Sequence, residues 1–188
     1  MKIAIIGAGN MGGSIARGLA KGTIIPASDI IVSNPTQNKL DKLKAEFPAL
    51  QVTNDNQEVS DRCGYDNLCR EAMADETCSK GIETERHTDS YLRCSRYSLR
   101  RLTHYAADKE MTMFRLIPNT AISEMESMTL IASRNATKEQ EQLMLDIFNQ
   151  MGLCHAHSRG KDCGNHRHDF LRHRLCAEVH PGSYAGRH

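Results

Sequence analysis

The residues best suited to do chemistry are three glycines near the start of the chain. Gly7, Gly9 and Gly12 stand in G-x-G-x-x-G spacing, directly after the β-branched apolar run from Lys2 to Ile6. Each glycine has a steric task. Gly7 permits a tight turn out of a strand. Gly9 lacks a Cβ, so a pyrophosphate can approach the backbone. Gly12 lets the next helix pack closely on the strand. A helix N-terminus at this point presents N–H groups and the positive end of a dipole to phosphates. The segment Gly7, Ala8, Gly9, Asn10, Met11 and Gly12 is therefore expected to hold the pyrophosphate of a dinucleotide. The alternative is an ordinary strand-to-helix turn.

A second position tests the same idea. About twenty residues beyond such glycines, an NAD site places Asp or Glu against the ribose 2′-hydroxyl. Here the strand-like run after Asp29 ends in Ser33, Asn34, Pro35 and Thr36, with Lys39 and Lys42 beyond. No carboxylate stands there to repel a 2′-phosphate, and hydroxyl, amide and ammonium donors are near. The expectation is NADP, with NADPH preferred over NADH. The alternative is a polar strand-to-helix turn with Thr36 as N-cap.

The elements that position these residues follow from periodicity. Met11, Ile15 and Leu19 share one stripe of a helix, and Gly22 suits its C′ position. Leu40, Leu43 and Phe47 mark a second helix that Pro48 closes. Val52 opens a short strand into Thr53-Asn54-Asp55-Asn56. The order β-α-β-α-β is that of a mononucleotide-binding half. A second coherent stretch runs from about Leu102 to Gly152. It offers a strand at Met111–Ile117 ending in Pro118-Asn119-Thr120, and another at Met128–Ala132. Thr137 and Gln140 form a capping box. Leu143, Met144, Ile147, Phe148 and Met151 form an apolar helical stripe that reads as core.

Composition bounds the rest. The net charge of +1 gives no electrostatic case for a nucleic-acid partner. No stretch reaches the ~18 apolar residues of a membrane span, and the opening run is too short for a signal peptide. A cytoplasmic chain without membrane partners is expected. Aromatic residues make up only 5% of the chain, and the mean hydropathy of −0.52 is polar for a packed enzyme. That average conceals two kinds of text, since every cysteine lies at or after Cys63 and every histidine at or after His87.

The coherent stretches resemble the pyrroline-5-carboxylate reductase family. The resemblance is carried by K-I-A-I-I-G-A-G-N-M-G at the start, S-N-P at 33–35, T-N-D-N at 53–56 and F-R-L-I-P-N-T at 114–120. It covers roughly residues 1–59 and 102–153. It implies an α/β fold, with a Rossmann-type domain built on a parallel sheet. It also implies that Gly7 to Gly12 hold the pyrophosphate, that Ser33 and Asn34 face the 2′-phosphate, that Asn56 lies by the adenosine ribose, and that Asn119 lies near the nicotinamide. The implied reaction is NAD(P)H-dependent reduction of the small molecule 1-pyrroline-5-carboxylate to L-proline. In that family a helical domain completes the substrate site across a homo-oligomer.

The remaining stretches fit poorly. The family's A-V-K-P strand, its later A-A-G strand and its S-G-S-G-P-A-Y segment are all missing. Asp61 to Arg101 shows no strand-like run where a parallel sheet needs one, so poor order or irregular pairing is expected there. A frameshift accounts for all three gaps. Back-translated and slipped by one base, Asp61–Thr77 can read T-D-A-D-M-I-I-C-A-V-K-P-W-L-M-K. Ser90–Leu102 can read L-I-S-V-A-A-G-I-P-F-E-D-L. The stretch from Cys154 can read T-S-C-G-I-A-Y-A-L. The domains expected are a dinucleotide-binding unit over 1–153, aberrant within 60–101, and an aberrant remnant over 154–188 in place of the helical domain. No catalytic residue is named, and the family oligomer is not expected to form. His155, His157, Cys163, His166, His168, His173 and Cys176 could be read as zinc ligands, but they show no closed C-x-x-C pair and exceed the four a zinc site uses, so no metal site is expected. A non-catalytic NADP-binding or structural remnant is the alternative function.

Overall fold

The computed structural model describes residues 1–56, 58–59, 68–71, 91–94 and 112–156. Within them the chain forms β1 (Ile3–Ile6), α1 (Asn10–Lys21), a 3-10 turn (Ala27–Asp29), β2 (Ile30–Ser33), α2 (Gln37–Glu46), β3 (Gln51–Thr53), β4 (Leu68–Glu71) and β5 (Tyr91–Cys94). β6 (Met113–Ile117), a 3-10 helix (Thr120–Glu124), β7 (Ser127–Arg134), α3 (Lys138–Asn149) and β8 (Gly152–Ala156) follow. The strands join one sheet in the order β3-β2-β1-β4-β5-β6-β7-β8. β3 through β6 run parallel. β7 is antiparallel to β6, and β8 is parallel to β7. Strand order reverses direction beside β1, between β2 and β4, and such switch points are where open α/β sheets bind ligands.

β1 is Ile-Ala-Ile-Ile, buried at every position, as a central parallel strand covered on both faces should be. Its side chains divide by parity. Ile3 and Ile5 join Ile30 and Val32 in the main core, against Ile15 and Leu19 of α1, Leu40 and Leu43 of α2, and Met144, Ile147 and Phe148 of α3. Ala4 and Ile6 meet Ile31 and Val59 on the other face.

Two strands form within Asp61–Arg101, where the sequence shows no strand-like run. β4 and β5 lie in that stretch and fill the sheet between β1 and β6 in continuous register. Ala4 is opposite Leu68, Cys69 is opposite Leu92, and Leu92 is opposite Phe114. The reason is physical. Main-chain pairing needs no particular side chain, and β1 and β6 each present an edge whose N–H and C=O groups require partners. L-C-R-E and Y-L-R-C show neither strict alternation nor a continuous apolar run, so nothing marks them in sequence. The boundary placed at Cys154 is also crossed, because β8 continues through it to Ala156. The rest of 60–101, and residues 157–188, lie outside the described residues.

Three smaller differences have local causes. Gly22 ends α1 with φ −69°, so it is not a left-handed cap. Its small size matters instead: a Cβ there would lie 2.8 Å from Gln150 Oε1, which accepts from the N–H groups of Thr23 and Ile24. Leu143 is exposed, because Met144, Ile147, Phe148 and Met151 keep the i, i+3, i+4, i+7 spacing and Leu143 falls one residue off it. Gly18 carries no signal in the sequence. A Cβ on it would lie 2.6 Å from Ile122 O, so this glycine sets how closely α1 meets the 3-10 helix.

Candidate functional site

The glycine turn leaves the C-terminal end of β1 at the switch point. Gly7 has φ +105°, a conformation that side-chain-bearing residues rarely adopt. Its N–H donates to Ser33 O at 2.8 Å, which continues the β1–β2 ladder into the turn. Gly9 is the N-cap of α1, with φ −72° and ψ −166°. Gly9 has no side chain with which to cap the helix, and the first turn contains no acidic residue. A first turn with no carboxylate of its own suits an anion, since the positive end of the helix dipole lies there.

The end of β2 lies against this turn. Ser33 is fully buried and Asn34 is 6% exposed. The Ser33 hydroxyl donates to Asn56 Oδ1 at 2.7 Å. Asn34 Oδ1 accepts the Ala8 N–H at 3.1 Å, in a buried bond. Asn34 Nδ2 donates to Thr36 O at 3.1 Å. Both side chains expected to face a 2′-phosphate are thus turned into the protein. At the surface beyond them stand Thr36, Lys39 and Lys42, with α2 starting at Gln37. Thr36 is the N-cap of α2 but makes no side-chain capping bond.

β3 completes the arrangement. Asn54 Nδ2 donates to Asn34 O at 3.0 Å, and the Thr53 hydroxyl donates to the Glu58 carboxylate. Ser33, Asn34 and Asn56 are therefore brought together with the glycine turn by one web of bonds. Thr53, Asn54 and Glu58 belong to it too, and sequence reasoning gave them no separate role. The polar run after β3 was the available signal.

Asn119 stands apart from that web. It follows β6, which runs parallel with β1, so it lies at the same edge of the sheet, with β4 and β5 between. It is exposed and is the N-cap of the 3-10 helix, its Oδ1 accepting from Ala121 N at 3.2 Å. Lys21 of α1 reaches this helix, donating to Ser123 O at 2.6 Å.

Other reactive groups lie elsewhere. Burial pushes the Cys154 thiol on β8 up to about 12, which keeps it protonated and unreactive at neutral pH. His155 Nε2 is buried without a hydrogen-bond partner among the described residues. His157, Cys163, His166, His168, His173 and Cys176 lie outside them. No described helix is long and apolar enough to cross a membrane.

Sheet order, the switch-point glycine turn and the helix that follows it define a Rossmann-type dinucleotide-binding fold. Comparison with known proteins gives the same class and narrows it. Residues 2–64 match the family model described as NADP oxidoreductase, coenzyme F420-dependent. The chain resembles the pyrroline-5-carboxylate reductases. It is 31% identical over 170 residues to pyrroline-5-carboxylate reductase 2 of Dictyostelium discoideum, an alignment covering 81% of this chain and 56% of that protein. It is 28% identical over 166 residues to pyrroline-5-carboxylate reductase 1 of the same organism, covering 80% of this chain and 29% of that protein. The chain thus spans about half the length, or less, of these curated relatives. Among solved structures, the Plasmodium falciparum pyrroline carboxylate reductase with NADP bound superposes with a TM-score of 0.70 at 19% identity, covering 97% of this chain and 71% of that one. The enzyme from Streptococcus pyogenes gives the same values. At such identity these structures support the fold alone.

Proposed function

We propose that this chain binds NADP(H) along the C-terminal ends of β1–β3 and works as an imine-reducing oxidoreductase of the pyrroline-5-carboxylate reductase type, converting 1-pyrroline-5-carboxylate to L-proline. One observation carries the binding: Gly7, at φ +105°, turns the chain from β1 into an α-helix whose N-cap is Gly9 and whose first turn holds no acidic residue. A pyrophosphate fits there, with Gly7 to Gly12 around it, Asn56 on the ribose side and Asn119 toward the nicotinamide. When bound, the cofactor supplies a hydride to the C=N carbon; the protein supplies position and electrostatics. The preference for NADPH rests on the carboxylate-free end of β2 and the exposed Thr36 and Lys39 beside it. A cytoplasmic setting belongs to the same reading.

A second reading is favoured by composition. Residues 154–188 contain seven of the nine histidines, and Phe170, Leu171, Leu175 and Val179 are almost the only large apolar side chains. Burial of four such groups yields roughly 1.5–3 kcal/mol each. Ordering each residue costs on the order of 1–2 kcal/mol of backbone entropy. On this reading a segment of this composition does not supply the family's helical domain. On this second reading the chain binds NADP without turnover or the family oligomer, and the frameshift is the cause.

Three measurements test these proposals. Fluorescence titration should show NADPH binding more tightly than NADH; tighter NADH binding would remove the argument from the end of β2. NADPH oxidation dependent on 1-pyrroline-5-carboxylate, by purified chain, supports the enzymatic reading. Its absence alongside NADPH binding supports the second. The coding DNA near codons 60, 102 and 153 decides the frameshift directly.

A further inference from the structure

We propose that Asn34 is a positioning residue that locks the glycine turn into its pyrophosphate-binding shape, rather than a ligand of the 2′-phosphate. The proposal rests on the reading of this site as a dinucleotide site. Asn34 is 6% exposed, and both ends of its amide have partners inside the protein. Its Oδ1 accepts the N–H of Ala8, twenty-six residues away and in the middle of the glycine turn, at 3.1 Å. Its Nδ2 holds Thr36 O, which shapes the turn leading into α2. Its main chain is fixed as well. The Asn34 N–H donates to Thr53 O at 3.2 Å, and its C=O accepts from Asn54 Nδ2 at 3.0 Å. One residue therefore ties the ends of β1, β2 and β3 together.

Two consequences follow from the chemistry. The Ala8 N–H already has an acceptor, so a bound pyrophosphate must be met by other groups of the turn. The orientation of those groups is set before any cofactor arrives, because a buried hydrogen bond holds direction as well as distance. The pyrophosphate is common to NADPH and NADH, whereas the 2′-phosphate belongs to NADPH alone. A positioning role and a 2′-phosphate contact therefore predict different ratios.

The test uses the full chain and Asn34→Ala, titrated with NADPH and NADH at a temperature where hydrogen exchange shows Ile3–Ile6 still protected. Removing the acceptor leaves the buried Ala8 N–H unpaired, so both affinities should fall by about tenfold or more, with their ratio within about twofold of the unaltered chain. A loss confined to NADPH overturns the proposal, as does no loss for either cofactor. Exchange at Ala8 supplies the readout that general destabilisation would not give. Without cofactor, the Ala8 amide should be protected in the unaltered chain, protected in Asn34→Asp, which keeps an acceptor oxygen, and unprotected in Asn34→Ala. Should Asn34→Ala not fold, the unaltered chain decides: an Ala8 amide that gains protection only when NADPH is added overturns the proposal. Should the unaltered chain bind neither cofactor, the dinucleotide reading itself fails, while Ala8 exchange still reports whether Asn34 holds the turn.

Discussion

The two ends of the sheet are held by different means. At the C-terminal ends of β1, β2 and β3 the connections are polar and directional: Gly7 to Ser33, Ala8 to Asn34, Ser33 to Asn56, Asn54 to Asn34. Around β6, β7 and β8 the connections are mainly volumes. Phe114 and Leu116 of β6 and Ile131 of β7 pack with Met144, Ile147, Phe148 and Met151. The buried hydroxyls of Ser127 and Thr129 there bond to each other at 3.1 Å and form a closed pair. A packed core accepts any side chains of suitable volume. A hydrogen-bonded loop end accepts few, because each buried donor needs its acceptor. The stricter device stands where backbone N–H groups must be aimed at a ligand.

The comparison predicts its own largest break on the packed side. Gly152 has φ +129°, and a Cβ on it would lie 2.1 Å from Ser127 O and 2.3 Å from Ser127 N. Both neighbours are backbone and cannot step aside. Gly152→Ala should cost about 3 kcal/mol or more, through strain and overpacking together. Urea denaturation measures it; an unchanged midpoint would show that β7 and β8 can separate freely.

On the polar side the effect should fall on the ligand instead of the fold. Gly9 has a φ and ψ open to other residues. Gly9→Val should leave the urea midpoint nearly unchanged. It should weaken both NADPH and NADH by about 100-fold, roughly 2.7 kcal/mol, by putting a side chain in the path of the pyrophosphate. Parallel losses in midpoint and affinity would show that the turn supports the sheet more than the site.

A smaller effect is expected where the packed side does use direction. Thr137 caps α3, with its hydroxyl accepting from Gln140 N at 3.2 Å and Gln140 Oε1 accepting from Thr137 N at 2.9 Å. Thr137→Ala should cost about 1 kcal/mol. A loss as large as that of Gly152→Ala would mean that α3 is held by its cap and not by its apolar stripe.

The contrast also explains what was legible beforehand. The glycine turn, α1, α2, the stripe of α3 and its capping box could be read, because local spacing specifies them. β4 and β5 could not, because L-C-R-E and Y-L-R-C owe their place to the edges on either side. The importance of Gly18 was hidden too, since it depends on Ile122 more than a hundred residues away. Ser33 and Asn34 were legible as polar groups at the right place. Their direction was not, because Asn56 and Ala8, which turn them inward, are distant in sequence.

The smallest expected effect lies on the surface of the polar half, where α1 meets α2. Arg17 Nε and one terminal nitrogen donate to the two oxygens of Glu46 at 2.5 and 2.8 Å, a bidentate pair. These bonds hold the Glu46 carboxyl below its ordinary value, and they raise that of Arg17. A carboxyl whose folded value is depressed adds stability above its unfolded value, about 4.3, and loses it as pH falls through the folded value. Arginine stays charged throughout, so the window belongs to Glu46. Both side chains are substantially exposed, at 30% and 44%, so screening reduces the contribution to about 0.5 kcal/mol or less. Glu46→Gln should therefore lower the urea midpoint slightly near pH 7, and the gap from the unaltered chain should close as pH falls below the ordinary carboxyl range. Raising salt to about 1 M should narrow the gap at neutral pH. A gap that persists in acid would show that Glu46 contributes through packing on α2 and not through its charge.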